Sequence, residues 1–463
     1  MLYRTTHTAA MIPSSSGSSS SYPSRSNIST LLFKLVLPVA LVGAFLPSLA
    51  GAFSPAVTTS TTRTDNHNKK HRLKMASSSS SSPDHKPPKH VIIVGGGVIG
   101  TCTSYYLAHT FGIASTIIDV SGQIAPAASG KAGGFLALDW NDTSPLRKLA
   151  RRSFALHQTL ADTLGAESIQ YRRLTCVSIG VDQDGATAPR SSAKKLEGVE
   201  WAVDAAKSIQ TLGDETTIAQ VHPKLLCHRL WEKSCQLVEE KRKTNKDMPE
   251  NKLMQGKVTS LSPDGVKLED GSVVNGDAVL VSCGPWTSSQ IMTGIKYHSV
   301  LVPTEKVLSQ CVFFSGMGDP EVYVRPDSTA YCTGFPDAPI SVTEQPGQEE
   351  VRPEAVDRIL TSVRAASGKT QGEGALSAEP TLTQSCYLPS TPDGLPIMGR
   401  LAASSNNNTP CYVAAGHGCW GILLAPATGE TMAHLIATGQ TSTEHVTLNP
   451  FEPARFGNIQ PFV

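Results

Sequence analysis

One thirty-residue stretch constrains this chain more than any other feature. His90-Val-Ile-Ile-Val94 is a short apolar, β-branched run, as expected of a parallel strand buried on both faces. Gly95-Gly96-Gly97-Val98-Ile99-Gly100 follows at once, with glycine at all three positions of G-x-G-x-x-G. Gly95 permits the tight turn, Gly97 lets the backbone approach a pyrophosphate, and Gly100 lets the next helix pack on the sheet. Val98 and Ile99 open that helix and belong to the same cradle. A helical segment runs through Ala108 and stops at Gly112. Ser115-Thr-Ile-Ile-Asp-Val120 reads as a second strand. Asp119 near its end stands 24 residues after Gly95, close to the spacing of a carboxylate that binds a ribose hydroxyl. Strand, glycines, helix, strand and acid in this order predict an α/β dinucleotide-binding unit. The acid favours an unphosphorylated ribose, hence FAD or NAD rather than NADP.

Composition narrows the class. Across 463 residues Lys plus Arg total 40 and Asp plus Glu 39, a net charge of +1. A protein that holds nucleic acid by bulk charge carries a basic excess, and a base-stacking surface needs more than 6% aromatics. Nucleic acid is therefore not an expected partner. Hydrophobic residues make up 40%, which excludes both a multi-span membrane protein and a chain disordered throughout. The ten cysteines lie beyond residue 100, none in a C-x-x-C pair. Neither a disulfide framework nor zinc spacing is present, and no metal is expected.

The first ninety residues read as an address. An apolar run from Leu31 to Ala50 is broken by Lys34, Pro38 and Pro47. Its cleanest part, Leu35 to Leu46, has the length of a signal-peptide core and is short for a membrane span. Ala50-Gly51-Ala52 is an A-x-A cleavage pattern, which gives a signal peptide over 1–52. Residues 53–88 are basic and rich in Ser and Thr, then Pro-rich: a transit peptide and linker. The combination resembles the bipartite presequence of proteins imported into complex algal plastids, so a plastid location is expected. The alternatives are the secretory pathway, or the cytoplasm from an internal start at Met75. No membrane span is expected in the mature protein.

The rest of the chain carries further glycine-rich segments. Ala128-Ser-Gly-Lys-Ala-Gly-Gly134 follows the second strand, a loop of small residues suited to close backbone approach along a long cofactor. Asp264-Gly265 and Asp270-Gly271 mark two turns of a β-meander that begins near Val258. Asp277 to Thr287 reads as a buried strand, a Gly-Pro turn and a helix. Thr391-Pro-Asp-Gly-Leu-Pro-Ile-Met-Gly399 precedes Tyr412-Val-Ala-Ala-Gly-His-Gly-Cys-Trp-Gly-Ile-Leu-Leu424, which reads as a strand, a glycine turn and a helix start. That last turn aims N–H groups at an anion or a flavin edge.

Over residues 90–440 this order of motifs resembles the FAD-dependent oxidoreductases of the D-amino-acid oxidase, glycine oxidase and sarcosine oxidase type, nearest a eukaryotic branch with Gly-His-Gly-x-Trp-Gly. The resemblance implies FAD as cofactor. It places Gly95, Gly97, Gly100 and Asp119 at the ADP moiety and Ser129, Gly130, Lys131, Gly133 and Gly134 in a second FAD loop. Val258 falls at the adenine, Cys283, Gly284 and Trp286 at the Ala-Gly-x-Trp turn, and Gly399, Gly416, His417, Gly418, Trp420, Gly421 and Ile422 at the flavin ring. The implied fold is α/β: a Rossmann-like FAD-binding domain built from discontinuous segments (89–134, 251–294 and 386–440) with a mixed-sheet α+β substrate domain (135–250 and 295–385) and a tail over 441–463. The helical-looking stretches Pro145–Leu164 and Val221–Glu240 would lie near the substrate side. Gln345–Ala378 reads as a surface excursion.

The implied reaction is oxidation of a C–N bond of a small amine or amino acid by hydride transfer to flavin N5. Three departures bear on it. Leu388 and Cys419 stand where the amino-acid-oxidising members carry arginines for the substrate carboxylate. Arg325 and Arg400 are candidate replacements, with surface placement the alternative. Cys386 lies five positions before Thr391, where sarcosine oxidases attach flavin through a thioether; a buried apolar thiol is the alternative. His417 is the candidate catalytic residue, to bond the ring or relay a proton, against a role in bracing its turn. Lys131 would neutralise pyrophosphate or reduced flavin, or else be a solvated lysine. The missing arginines keep a second function in view, a non-catalytic FAD-binding assembly or trafficking factor. A small-molecule amine or amino acid is the expected partner; the sequence leaves the oligomeric state unknown.

Overall fold

The computed structural model describes residues 85–181, 199, 201–202, 208–367, 374–402 and 408–462. The expected signal peptide, most of the transit segment and linker, and Met75 lie outside the described residues. Among the described residues no helix is long and apolar enough to cross a membrane.

Six strands form the first sheet, in the order Ile397–Arg400, Cys411–Ala415, Ala278–Val281, His90–Val94, Ala114–Asp119, Lys252–Gln255. All run parallel except Ile397–Arg400, which pairs antiparallel with Cys411–Ala415. The strands come from widely separated stretches, as the discontinuous arrangement required. The run at 90–94 alternates between two apolar layers, as the twofold side-chain period of a strand dictates. Val91 and Ile93 face helices, while Ile92 and Val94 face the meander Val258–Ser262, Gly265–Leu268, Val273–Asn275.

Among the described residues there are six α-helices: α1 (Val98–Tyr106), α2 (Ala128–Lys131), α3 (Arg147–Leu164), α4 (Pro223–Arg242), α5 (Pro353–Ala366) and α6 (Gly421–Thr438). Helix α1 leaves the first strand, continues as a π turn to Phe111, and ends at Gly112 with φ +69°. The structure corrects the expected placing of α3 and α4. Leu149, Phe154 and Leu160 of α3 and Leu226 and Leu230 of α4 share one apolar cluster with Ile93, Cys102 and Leu424. Their apolar faces therefore bury against α1 and α6 on the nucleotide half, not on the substrate side.

The second sheet has eight strands. Seven lie in the order Pro339–Ile340, Thr293–Pro303, Thr329–Gly334, Glu321–Val324, Gln310–Ser315, Thr175–Gly180, Ser208–Gly213, and Leu382–Ser390 also pairs with Thr293–Pro303. Only Gln310–Ser315 and Thr175–Gly180 run parallel. One face of this sheet (Val300, Val302, Val312, Val322, Val324) packs on Ile359, Leu360 and Val363 of α5. The segment Gln345–Ala378, expected to be a surface excursion, thus contains the amphipathic helix that closes this core. The opposite face is fixed by register. Tyr297 lies opposite Cys386, Ser299 opposite both Gln384 and Thr333, Tyr323 opposite Tyr331, and Glu321 opposite both Thr333 and Phe313. Directly opposed residues share a face, so these side chains all look toward the nucleotide half.

Two expected boundaries move. Leu382–Ser390 is a strand of the second sheet, so the third nucleotide segment begins after Ser390 rather than at Cys386. Thr293 and Gly294 already belong to that sheet as well. The predicted helix after Gly284-Pro285 is a single 3-10 turn, Gly284–Trp286.

Helix α6 reaches α1 through Gly429. A Cβ there would lie 2.6 Å from both the carbonyl carbon and the Cβ of Cys102, and 2.8 Å from Thr103 N. Backbone cannot yield as a flexible side chain does. Gly429→Val is expected to cost about 1–3 kcal/mol, read as a lower midpoint in urea unfolding followed by circular dichroism. An unchanged midpoint would mean the two helices do not approach this closely.

Candidate active site

The nucleotide turn has the geometry its glycines imply. Gly95 has φ +106°, and a Cβ on it would lie 2.5 Å from Ser282 O. A Cβ on Gly100 would collide with Gly95 O. Gly97 differs. A Cβ there would meet only Ser129 Oγ, at 3.1 Å, so the space before the α1 N-terminus is open. Gly97 caps α1 with no side-chain cap bond, which leaves the helix end available to an anion. Val98 N donates to Ser129 Oγ at 2.9 Å, linking the two glycine-rich segments. Asp119 is held at the edge of this turn. One carboxylate oxygen accepts from Gly96 N at 2.9 Å, and the other accepts from Ser121 N at 2.9 Å and Ser121 Oγ at 2.6 Å. An open glycine before an uncapped helix end, beside a fixed carboxylate, fits the pyrophosphate and ribose of FAD.

The second loop seats the other half of the molecule on this turn. Ser129, Gly130 and Lys131 lie in α2. A Cβ on Gly133 would enter the Tyr323 ring, and one on Gly134, at φ +86°, would collide with Val221 O. Lys131 Nζ donates to Glu349 Oε2 at 3.2 Å and to Ser385 O at 3.0 Å, while Gln384 Nε2 donates to Lys131 O at 2.8 Å. Lys131 is therefore neither a solvated lysine nor a free cation for phosphate. It ties the loop to the strand through Cys386.

The remaining predicted positions divide. Cys283 Sγ contacts Val94 O at 3.3 Å, beside the nucleotide turn, and Gly284, at φ +56°, has nothing near its missing Cβ. Trp286 Nε1 donates to Thr343 O at 2.7 Å. Val258 is buried at the start of the meander. Gly399 has a structural reason to be glycine, because a Cβ would meet Pro453 Cδ at 2.7 Å. Gly416 (φ +79°) packs on Thr391, whereas Gly418 (φ +57°) faces open space. Trp420 caps α6, and Gly421 and Ile422 form its first turn.

His417 is 4% exposed, and its Nε2 lies 3.0 Å from Thr428 Oγ1 of α6. Burial without a compensating charge pulls its pKa down to about 3, so it is neutral at ordinary pH. In this geometry the imidazole braces the Gly416–Trp420 turn. Cys386 is 5% exposed, and burial pushes its thiol up to about 12. Arg400 is exposed, but Arg325, read as a surface residue or a substitute cation, is buried. Its Nη2 donates to Ala132 O at 3.3 Å, its Nη1 to His222 Nε2 at 3.5 Å, and its guanidinium lies 5.6 Å from the Tyr331 ring centre.

Sequence reasoning missed the wall opposite the Gly416–Trp420 turn. Phe135, Trp140, Phe313, Tyr323 and Tyr331 form a connected set of rings, and Trp140 reaches Trp420 at 6.4 Å. Glu321 stands among them and accepts a hydrogen bond from Tyr323 Oη. Its neighbourhood includes Tyr297 and Cys419, both of whose pKa values it raises. The alternation of Glu321-Val-Tyr-Val324 carried the signal for a shared face, but no motif marked it. Cys419 has accessible surface, yet desolvation pushes its thiol up to about 12. The Trp140–Trp420 contact sets this aromatic face against the Gly416–Trp420 turn.

The family of FAD dependent oxidoreductases matches residues 90–435, three quarters of the chain. The chain belongs to this family. An oxidoreductase of Schizosaccharomyces pombe is 29% identical over 390 residues, covering 76% of this chain and 94% of the relative. An uncharacterized oxidoreductase of Bacillus subtilis is 27% identical over 389 residues, covering 77% and 96%. Among solved structures, glycine oxidase from Geobacillus kaustophilus superposes with TM-score 0.62 at 22% identity, covering 80% of this chain and 98% of that one. L-proline dehydrogenase from P. horikoshii gives 0.60 at 16%, covering 81% and 100%. The fold expected from the sequence is the fold these structures share, and FAD is the family's cofactor.

Two predictions follow from the geometry of the turn and its histidines. Gly97→Val is expected to purify folded, because its side chain enters open space, but without flavin; normal flavin loading would overturn the cradle. Burial lowers His157, His222 and His417 to about 4, 4 and 3. Between the ordinary value of 6.5 and about 4 the unfolded chain binds protons the folded chain refuses, so stability falls with pH through that window. Glu321, raised by burial, opposes this with one group against three. The urea midpoint is expected to be lower at pH 5 than at pH 7.5, with a smaller drop in His157→Gln.

Proposed function

We propose that this protein oxidises a C–N bond of a small amine or amino acid, with FAD as the electron acceptor. The observation that carries the reading is the aromatic face of the second sheet, with Glu321 bonded to Tyr323 among its rings, set against the Gly416–Trp420 turn by the Trp140–Trp420 contact. When bound, FAD would supply two-electron acceptance, taking hydride at N5 from the carbon beside nitrogen; the nitrogen would give up its proton to water, and water would hydrolyse the imine product.

The chain's own residues bind, orient and exclude water. Gly97 and the α1 N-terminus hold the pyrophosphate, and Asp119 holds the ribose. The rings of Phe135, Tyr323 and Tyr331 keep water from the reacting carbon. His417, neutral and bonded to Thr428, fixes the turn that faces the flavin edge. Its ring carries no charge to relay above about pH 4.

A second reading, an FAD-binding assembly or trafficking factor without catalysis, is favoured by one observation. Neither Leu388 nor Cys419 supplies a cation, and the Arg325 guanidinium is committed to Ala132 O.

A visible spectrum of the purified protein, followed by acid precipitation and anaerobic titration with amines, separates these readings. The expected result is flavin bands, colour released to the supernatant because Cys386 is a protonated thiol, and bleaching by at least one amine. Absence of flavin from a folded protein would sink the proposal. Bound flavin that no amine or amino acid bleaches would favour the non-catalytic reading. Colour retained in the pellet, and lost in Cys386→Ala, would show a covalent thioether instead.

A further inference from the structure

We infer that the aromatic face of the second sheet takes the substrate as a cationic amine, gripped by the Glu321 carboxylate among its rings, and not as an amino acid held by its carboxylate. This inference rests on the amine-oxidising reading above and names the substrate class within it.

The geometry begins with strand alternation. Glu321 and Tyr323 are two residues apart on Glu321–Val324, so both leave the same face of the sheet. Register puts Tyr331 opposite Tyr323 and Phe313 opposite Glu321. The rings then form an unbroken wall. Tyr323 stacks on Tyr331 at 5.8 Å and on Phe135 at 5.5 Å, Phe135 meets Phe313 at 5.3 Å, and Trp140 meets Phe313 at 5.2 Å and Trp420 at 6.4 Å. The wall runs from the second glycine loop, where Gly133 abuts Tyr323, to the turn that faces the flavin edge.

One carboxylate interrupts this wall, and the Arg325 guanidinium lies 5.6 Å from the ring centre at its Tyr331 end. Glu321 accepts from Tyr323 Oη, and among the described residues no lysine or arginine pairs with it. The nearest cation along its own strand is Arg325, four residues on, roughly 13 Å away in an extended chain. Arg325 is occupied by Ala132 O and His222. A carboxylate in apolar surroundings without a counter-charge is unfavourable, and a ligand cation removes that cost. Burial raises the Glu321 pKa, as expected of a carboxyl that lacks its partner.

The surrounding chemistry selects the ligand. An alkyl- or arylammonium places its charge on Glu321 and its carbons against ring faces, which attract cations. The carbon beside nitrogen is thereby held next to the Gly416–Trp420 turn. A carboxylate in the same place would meet Glu321 as a like charge, with a neutral thiol, Cys419, as its neighbour.

The test uses the full-length protein as purified, with benzyltrimethylammonium and benzoate as probes of opposite charge and similar ring. Binding is read by calorimetry and, in parallel, by perturbation of the flavin absorbance. The expected result is saturable binding of the cation, little binding of benzoate, and an affinity for the cation about tenfold or more weaker in Glu321→Gln. Glutamine keeps the volume and a partner for Tyr323 while removing the charge. Tyr323→Phe, which keeps the ring and frees the carboxylate, is expected to retain the cation. Equal cation binding by wild type and Glu321→Gln, or binding of benzoate in preference, would overturn the inference. Cation binding by a flavoprotein that no amine reduces would leave this site standing and remove the catalytic reading. Amine reduction with cation affinity unaltered in Glu321→Gln would do the reverse.

Discussion

The whole molecule depends on backbone approaching backbone around one turn. Gly100 sits against Gly95 O, Gly95 against Ser282 O, and Gly429 of α6 against Cys102 of α1. Each contact is closer than any Cβ allows, so three sequence-distant segments meet without side chains between them. That closeness sets the depth of α1 on the sheet and aims its uncapped N-terminus into open space. It also fixes α6 and with it the Gly416–Trp420 turn. The cofactor cradle and the flavin-edge turn are therefore two ends of one packing solution.

A second, polar constraint joins the halves. Lys131 reaches Glu349 and Ser385 while its carbonyl accepts from Gln384, so a four-residue helix is pinned to the second sheet from both sides. The Lys131–Glu349 pair is largely shielded from solvent, and its added hydrogen bonds are what make such a pair tolerable. Arg325 adds a third tie through Ala132 O. Two basic residues that looked like ligands for phosphate or carboxylate thus position the loop between the nucleotide turn and the sheet. This seam holds the aromatic face against the loop, where Gly133 abuts the Tyr323 ring.

The electrostatics beside this face follow from burial. His417 is neutral and Cys386 and Cys419 are protonated because burial disfavours their charged forms. What remains on this face is the Glu321 carboxyl among rings, with Arg325 held by Ala132 O at the Tyr331 end. Under the inference above, such a face would discriminate by the sign of a ligand's charge, in contrast to one built on bidentate arginines.

The local segments were legible in the sequence. The strand at 90–94, the glycine turn, Asp119, the meander turns and the late Gly-His-Gly turn each carry their own pattern, because tight turns and buried parallel strands are dictated by nearest neighbours. They determined the α/β class, the glycine turn before α1 and the assembly of the first sheet from discontinuous segments. Tertiary structure decided the rest. The faces on which α3 and α4 bury, the burial of Arg325, the ion pair of Lys131, the stacking of Phe135 on Tyr323 and the edge contact of Trp140 with Trp420 join residues scores to hundreds of positions apart. Amphipathic periodicity says that a helix or strand has an apolar face, not which partner covers it. Likewise, glutamate on an alternating strand reads as solvent-facing until its neighbour Tyr323 is seen packed against Gly133 and Phe135 from another part of the chain.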